Sequence, residues 1–288
     1  MALSTGSFVD DGGVVVETYE WPVESPRAVV QISHGIGEHA RRYAPLAEDL
    51  NAAGIAVVAD DHRGHGATGR RQWGEGASLG RLGPGGLRAT IDAIARLGRD
   101  ARDRHPGLPL VLVAHSWGSL MAQIALNRDP GAYDGVVLSG TAYRWPGSMD
   151  AGDLNRRHRH LGTTGAEWLS RDPAVAVAWV DDPFTFPADT RRLLGLRDAL
   201  RLFGRPARRL PPDLPVLLQV GSDDTLGGAR SAERLARAYR ERAGLTDVEL
   251  RVYEGGRHEV YNEINRDEVI GDLVAWIEQH VLEKAGTR

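Results

Sequence analysis

The chain has 288 residues, 42% of them hydrophobic, enough to bury the core of one large domain or of a domain with an insert. Its 35 Lys and Arg against 39 Asp and Glu leave a net charge of −4, which argues against nucleic acid as a partner. Cysteine is absent, excluding disulfides and Cys-based metal sites; the first residues lack the basic and apolar regions of an export signal, and no apolar run approaches the ~18 residues of a membrane span, so a cytoplasmic chain is expected.

Apolar and β-branched runs predict strands at 7–10 and 14–21, joined by the turn-forming cluster Asp10-Asp11-Gly12-Gly13, and a third at 28–33 that ends in His34-Gly35-Ile36-Gly37-Glu38-His39. A helix over 40–53 and a strand over 55–60 follow, the strand ending in Asp61-His62-Arg63-Gly64-His65-Gly66. A helix over 84–104 precedes the strand 109–115, which runs through Ser116 into a helix over 118–129. The sixth strand, 134–139, ends in Ser139-Gly140-Thr141. Regularity then breaks. The stretch 143–212 has no good β-run and, at roughly 70 residues, is too long for a pair of crossover helices. It reads as a mostly helical inserted cap, with a polar and basic part at Asn155-Arg156-Arg157-His158-Arg159-His160, whose histidines read as solvated surface, and an apolar aromatic part from Asp172 to Phe186. Alternation resumes with strands at 215–220 and 248–253 and helices at 228–243 and 264–283. The later strands are mostly continuous apolar runs, as expected of strands buried on both faces. The prediction is an α/β chain: an eight-stranded, mostly parallel sheet with helices on both faces, its core formed by 1–142 and 213–288 and its cap by 143–212.

The chemistry concentrates where strands end. A serine on a sharp strand-to-helix turn has its hydroxyl pushed out at the top of the sheet, and small residues are needed two before and two after it; here they are Ala114 and Gly118 around Ser116. A nucleophilic serine needs a base and an acid that orients the base. Two later strand ends supply them: Gly221-Ser222-Asp223-Asp224 offers two candidate acids, and Glu254-Gly255-Gly256-Arg257-His258 offers the base His258. Oxyanion stabilisation needs backbone N–H groups, one expected from the residue after the serine, Trp117, and one from Ile36 in the loop after the third strand. Asp61 and His34 read as braces for their loops, His115 as structural and Ser222 as turn chemistry.

These motifs resemble the monoacylglycerol lipase and lysophospholipase group of the α/β-hydrolases, in its serine-aminopeptidase-like branch. The residues that carry the resemblance are His34 to His39 with Arg42-Tyr43, Asp61 to Gly66, His115-Ser116-Trp117-Gly118, Gln219 to Asp224, and Tyr253 to Glu259. Ser170-Arg171-Asp172-Pro173 and Asp182-Pro183 resemble the cap segment of that group, and the likeness spans about residues 5 to 282. Two residues depart from the pattern: Trp117 stands where an aliphatic residue is usual, and Ser119 where a second glycine is common.

The resemblance implies an α/β-hydrolase fold and a serine hydrolase of carboxylic esters, with Ser116 as nucleophile, His258 as base and Asp224 in preference to Asp223 as acid. It implies no cofactor and no metal, and a small-molecule ester substrate, monoacylglycerol or another single-chain acyl ester, with peripheral membrane contact through the cap left open. It places Glu38 and Arg42 near the alcohol group of the substrate, the alternative being a surface ion pair four residues apart. Trp168, Trp179 and Phe184, with Val175, Val177 and Val180, offer an acyl-lining wall, the alternative being packing inside the cap. The rival functions are a short-chain or polar-substrate esterase, an amidase or aminopeptidase with the same three residues, and a non-catalytic small-molecule receptor. Ser116 at the turn excludes dehalogenase and epoxide hydrolase chemistry, which need an aspartate there.

Overall fold

The computed structural model describes residues 2–150, 152–187 and 189–285. One eight-stranded sheet organises them, in the order β1-β2-β4-β3-β5-β6-β7-β8. The strands are β1 (Ser4–Val9), β2 (Val15–Trp21), β3 (Ala28–Ser33), β4 (Ile55–Asp60), β5 (Leu110–His115), β6 (Gly135–Ser139), β7 (Val216–Gly221) and β8 (Val248–Tyr253). β1 and β2 pair antiparallel, β2 pairs antiparallel with β4, and every pair from β4 to β8 is parallel. β3 to β7 are buried along their whole length, which is why their sequences are unbroken apolar runs. β8 is the far edge, and its Glu249 and Arg251 pair with each other at 2.5 Å rather than entering the core.

The predicted hairpin is present, but β1 starts three residues earlier than the apolar pattern indicates. Its pairing runs from Ser4↔Glu20 to Val9↔Val15, and most of its side chains are exposed, so no burial pattern marks its beginning. Asp10 belongs to the turn and accepts from the Gly12 and Val14 N–H groups.

Helices cover both faces. On one side α1 (Ala44–Ala52) and α8 (Arg266–Ile277) pack Leu46, Leu50, Leu273 and Trp276 against Ile32, Val57 and Val113. On the other, α3 (Gly86–Arg104), α4 (Trp117–Arg128) and α7 (Gly228–Glu241) pack Leu97, Leu126 and Leu235 against Leu112, Leu138 and Leu218. The helix predicted over 40–53 opens as a 3-10 turn, Ala40–Tyr43, before α1. The short helix α2 (Gly66–Trp73) has no counterpart in the prediction, because Gly66 and Gly69 read as loop residues. Gly69 is there for closeness: a Cβ on it would lie 2.5 Å from the Gly64 backbone.

Within 143–212 the regular elements among the described residues are α5 (Pro173–Asp181), α6 (Thr190–Arg201) and a 3-10 turn at Arg159–Leu161. α5 starts where its sequence dictates, with Asp172 accepting from the Ala174 N–H at 2.9 Å and Pro173 opening the helix. This stretch lies across the carboxyl end of the sheet, touching the loops after β3, β7 and β8.

Candidate active site

The turn from β5 into α4 is built for close approach. Ser116 has φ 52° and ψ −124°, a backbone conformation that a serine adopts only under constraint. The constraint is visible around it. A Cβ on Gly118 would lie 2.3 Å from the Ser33 carbonyl oxygen, and one on Gly35 would lie 3.0 Å from the Ser116 Cβ. Gly118 leaves no room for a Cβ, and one on Gly35 would also press on Glu38 Oε1 at 2.7 Å, so β3, its following loop and the N-terminus of α4 converge on one hydroxyl. The Ser116 N–H donates to the Ser139 carbonyl at 2.9 Å, tying the turn to β6.

Three predicted residues meet there. His258 Nε2 lies 2.8 Å from Ser116 Oγ, and His258 Nδ1 lies 3.0 Å from Asp224 Oδ1. An ionised carboxylate only accepts, so Nδ1–H donates to Asp224 and Nε2 is left as the acceptor for the serine hydroxyl. Burial alone would lower the His258 pKa; the charge and hydrogen bond of Asp224 overcome it and hold the value above that of a free imidazole. Asp224 Oδ1 also accepts from the Leu226 N–H at 2.9 Å. Asp223 turns the other way, to Arg157 at 3.1 Å, and is 39% exposed. The two candidate acids are thus separated by geometry.

The Trp117 N–H belongs to the first turn of α4, where no intrahelical acceptor is available. Ile36 follows Gly35 in the loop that approaches Ser116, and its side chain packs against the cluster containing Trp117. That loop is braced from below. His34 Nδ1 donates to the Gly35 carbonyl at 2.7 Å and its Nε2 accepts from the His62 N–H at 2.9 Å. His34 and His62 stack at 4.0 Å, and His65 stacks on Trp117 at 5.3 Å. Burial pushes the His65 pKa down to about 3 and the His34 pKa well below its ordinary value, so both rings are neutral struts. Asp61 accepts from the Ala40 and Ala67 N–H groups and the Tyr19 hydroxyl, as its bracing role requires.

Glu38 and Arg42 do not form a surface ion pair. Glu38 is buried and Arg42 nearly so, with side-chain exposures of 5% and 12%. Glu38 Oε1 accepts from the Gly35 N–H at 2.5 Å and the Tyr43 hydroxyl at 2.8 Å, and Oε2 accepts from Arg42 at 2.7 Å. Arg42 then grips Glu259 with two bonds of 2.7 and 2.9 Å. Their polar atoms are taken up inside the protein. Sequence reasoning passed over Glu259 as a functional residue, although its place beside His258 was a signal.

The three candidate acyl-lining aromatics have different neighbours, although Trp168 and Trp179 both pack against Ala166, Leu169 and Ala176. Trp168 lies on the His258 ring, with centroids 4.6 Å apart, and its carbonyl accepts from the His258 N–H at 3.3 Å. The neighbouring Leu169 carbonyl accepts from the Glu259 N–H at 2.7 Å, and Arg257 donates to the carbonyls of Glu167 and Ser170. Phe184 stands 5.6 Å from His39 on the loop after β3, whose Nε2 also contacts Asp182 at 2.9 Å. Trp179 packs with Ala166, Leu169 and Ala176, while Val177 and Val180 are about half exposed. His158 departs from its expected solvated position: it is buried, 3.9 Å from Asp223. Among the described residues no group of three or more His, Asp or Glu is arranged to hold a metal, and no helix is long and apolar enough to cross a membrane.

The sheet order and the converging strand ends are those of the α/β-hydrolases. A thermostable carboxyl esterase from Bacillus coagulans, solved in complex with glycerol, superposes with a TM-score of 0.86 at 25% identity, covering 98% of this chain and 99% of that one. A monoacylglycerol lipase of Mycolicibacterium smegmatis is 32% identical over 96% of this chain and 98% of its own length. The human monoglyceride lipase is 29% identical over 96% and 90%. The family described as serine aminopeptidase, S33, matches residues 24–265, and the chain belongs to it.

Proposed function

We propose that this chain hydrolyses carboxylic esters, most favourably monoacylglycerols or other single-chain acyl esters, through Ser116, His258 and Asp224. The observation that carries the reading is the unbroken hydrogen-bond chain at 2.8 and 3.0 Å that ends on a serine in a strained turn. In this mechanism His258 Nε2 takes the hydroxyl proton as Ser116 Oγ attacks the ester carbonyl. The N–H groups of Ile36 and Trp117 receive the oxyanion. Asp224 holds the imidazole in the required tautomer and stabilises its protonated form. His258 then protonates the departing alcohol, and water releases the acid by the same route. The reaction needs no cofactor. Residues 143–212 act as the cap, and the exposed Val177, Val180, Leu196 and Leu200 on α5 and α6 favour contact between that cap and a lipid surface.

Ser116→Ala tests the core of the proposal. It removes one hydroxyl, so it should leave the melting temperature near that of the parent while abolishing ester turnover and labelling by a fluorophosphonate. Equal turnover in the two proteins refutes the mechanism. Matched acyl esters and anilides then separate an esterase from an amidase, and esters of rising chain length define the acyl preference.

A further inference from the structure

Glu38, Arg42 and Glu259 form a buried chain of two carboxylates about one guanidinium, and its two ends reach the two loops on which the proposed chemistry depends. Glu38 accepts from the Gly35 N–H, one residue before the proposed oxyanion donor. Glu259 follows the proposed base, and its own N–H is fixed by the Leu169 carbonyl. Arg42 joins the two, and Tyr43 and Asn262 occupy further lone pairs at 2.8 Å each. A single guanidinium cannot neutralise both carboxylates, so the formal charges sum to minus one.

We propose that the Glu38–Arg42–Glu259 chain is a positioning and electrostatic unit: it clamps the oxyanion loop to the histidine loop and supplies a second buried negative charge, beside that of Asp224, which stabilises His258 in its protonated form. This rests on the reading of His258 as general base. The charged and titratable groups around His258 agree with it. From the end of β5 comes His115, its ring 4.7 Å away and its pKa pushed down to about 4 by burial and by His258 itself, so it brings no positive charge. From the loop after β7 come Asp224, in contact, and Asp223, held by Arg157. From the loop after β3 come Glu38, Arg42 and the un-ionised Tyr43. On the histidine's own loop, Arg257 points its guanidinium at the carbonyls of Glu167 and Ser170. The cap contributes His158, whose pKa is lowered chiefly by burial. After burial and Asp224, the charges of Glu259 and Glu38 are what raise the His258 pKa.

The test varies the charge of the unit while keeping its shape. In Glu259→Gln the net charge of the unit goes from minus one to zero, and in the double variant with Glu38→Gln it goes to plus one. Two quantities are measured: the acid limb of kcat/KM, and the His258 ring titration by NMR in histidine-labelled protein, assigned by the signal lost in His258→Gln. The expected result is a downward move of both by about half a pH unit in the single variant and further in the double. A fall in kcat with little change in KM accompanies it. Arg42→Lys keeps the charge and loses the two-pronged grip, so it lowers kcat without moving the limb. A limb and a ring titration that stay in place in folded Glu259→Gln, as judged by its melting curve, overturn the proposal. Because the NMR titration does not depend on turnover, an enzyme whose Ser116→Ala variant remains active refutes the ester-hydrolase mechanism separately from this inference.

Discussion

Replacing Asp224 by Asn should separate the two things its carboxylate does. In a serine-protease triad the same change costs about 10⁴ in turnover, largely because the amide presents a donor to the histidine and imposes the wrong tautomer. Here one oxygen, Oδ1, accepts from both His258 Nδ1 and the Leu226 N–H. An asparagine with its carbonyl in that place keeps both bonds and therefore the tautomer. What it loses is the charge. For unit charges about 4 Å apart at an effective dielectric near 20, that is worth about 4 kcal/mol, or about 10³ in rate. The amide nitrogen then takes the place of Oδ2, which is buried and has no hydrogen-bond partner among the described residues. An unmet buried donor costs about 1–3 kcal/mol, so the melting temperature should fall by several degrees. Asp223→Asn weakens a solvent-facing pair with Arg157, whose members are 39% and 64% exposed, and a longer contact of 3.9 Å to His158, and should stay within a few-fold of the parent. Steady-state kcat on one chromogenic ester, measured for both variants beside their melting curves, decides the matter. A larger loss in Asp223→Asn, or an Asp224→Asn enzyme within about tenfold of the parent, refutes the assignment of the acid.

Trp168→Ala should lower kcat on short and long esters alike, because the indole lies on His258 rather than along a separate acyl wall; a loss confined to long chains would contradict this placement. Trp179→Ala should lower the melting temperature and leave the chain-length profile of kcat/KM almost flat relative to the parent, since its contacts are within the cap. Glu259 is held down to about 2: burial opposes this, and the Arg42 guanidinium overcomes it. A depressed carboxylate pKa contributes stability that is present above its ordinary value of 4.5 and is lost as the pH falls through 4.5 towards 2. Acid unfolding followed by circular dichroism should therefore flatten over that window in Glu259→Gln, and an unchanged slope would show that the pair is not linked to folding. Turnover should survive excess chelator; loss with EDTA and recovery with a divalent ion would reveal a metal requirement.

The strands were legible because their burial is written into short, uninterrupted sequence. Val29-Val30-Gln31-Ile32 and Leu110-Val111-Leu112-Val113 can be little else in a chain whose runs alternate with amphipathic helices. β1 was less legible because an exposed edge strand has no pattern to read, and α2 because its glycines serve packing that only the tertiary structure reveals. The meeting of Ser116, His258 and Asp224 could be expected from strand ends alone, since parallel strands deliver their following loops to one edge of the sheet. Which way each side chain of the cap turns could not. Trp168, Trp179 and Phe184 have the same aromatic character in sequence, yet Trp168 lies on the ring of the proposed base, Trp179 packs within the proposed cap and Phe184 meets the loop after β3. His158 was misread for the same reason: alternation with arginines suggests solvent, while its burial depends on a loop some 65 residues away.

The bonds between the proposed cap, residues 143–212, and the core also constrain how that cap can move. Residues 167–170 are joined to the histidine loop by two main-chain bonds, His258 to Trp168 and Glu259 to Leu169, and by the Arg257 side chain, which donates to the carbonyls of Glu167 and Ser170. Farther along, the Phe186 N–H donates to the Gly37 carbonyl, and Asp182 meets His39. The first set grips the loop of the proposed base, the second the loop of the proposed oxyanion donor. A cap that swung away as one body would release both loops, each time exposing backbone groups that are now paired. α5 lies between these two anchors, and its Val177 and Val180 face solvent. Motion that admits substrate is expected outside these anchors, and α6, whose Leu196 and Leu200 are exposed, is tied to the core more sparingly, through Leu194 and the bond from the Leu87 N–H to Asp198. Hydrogen exchange should find the amides of His258 and Glu259 protected to the same degree as the strands, and those of α6 exchanging much faster. Equal exchange in the two regions would mean that the cap opens as a unit and that the histidine loop moves with it.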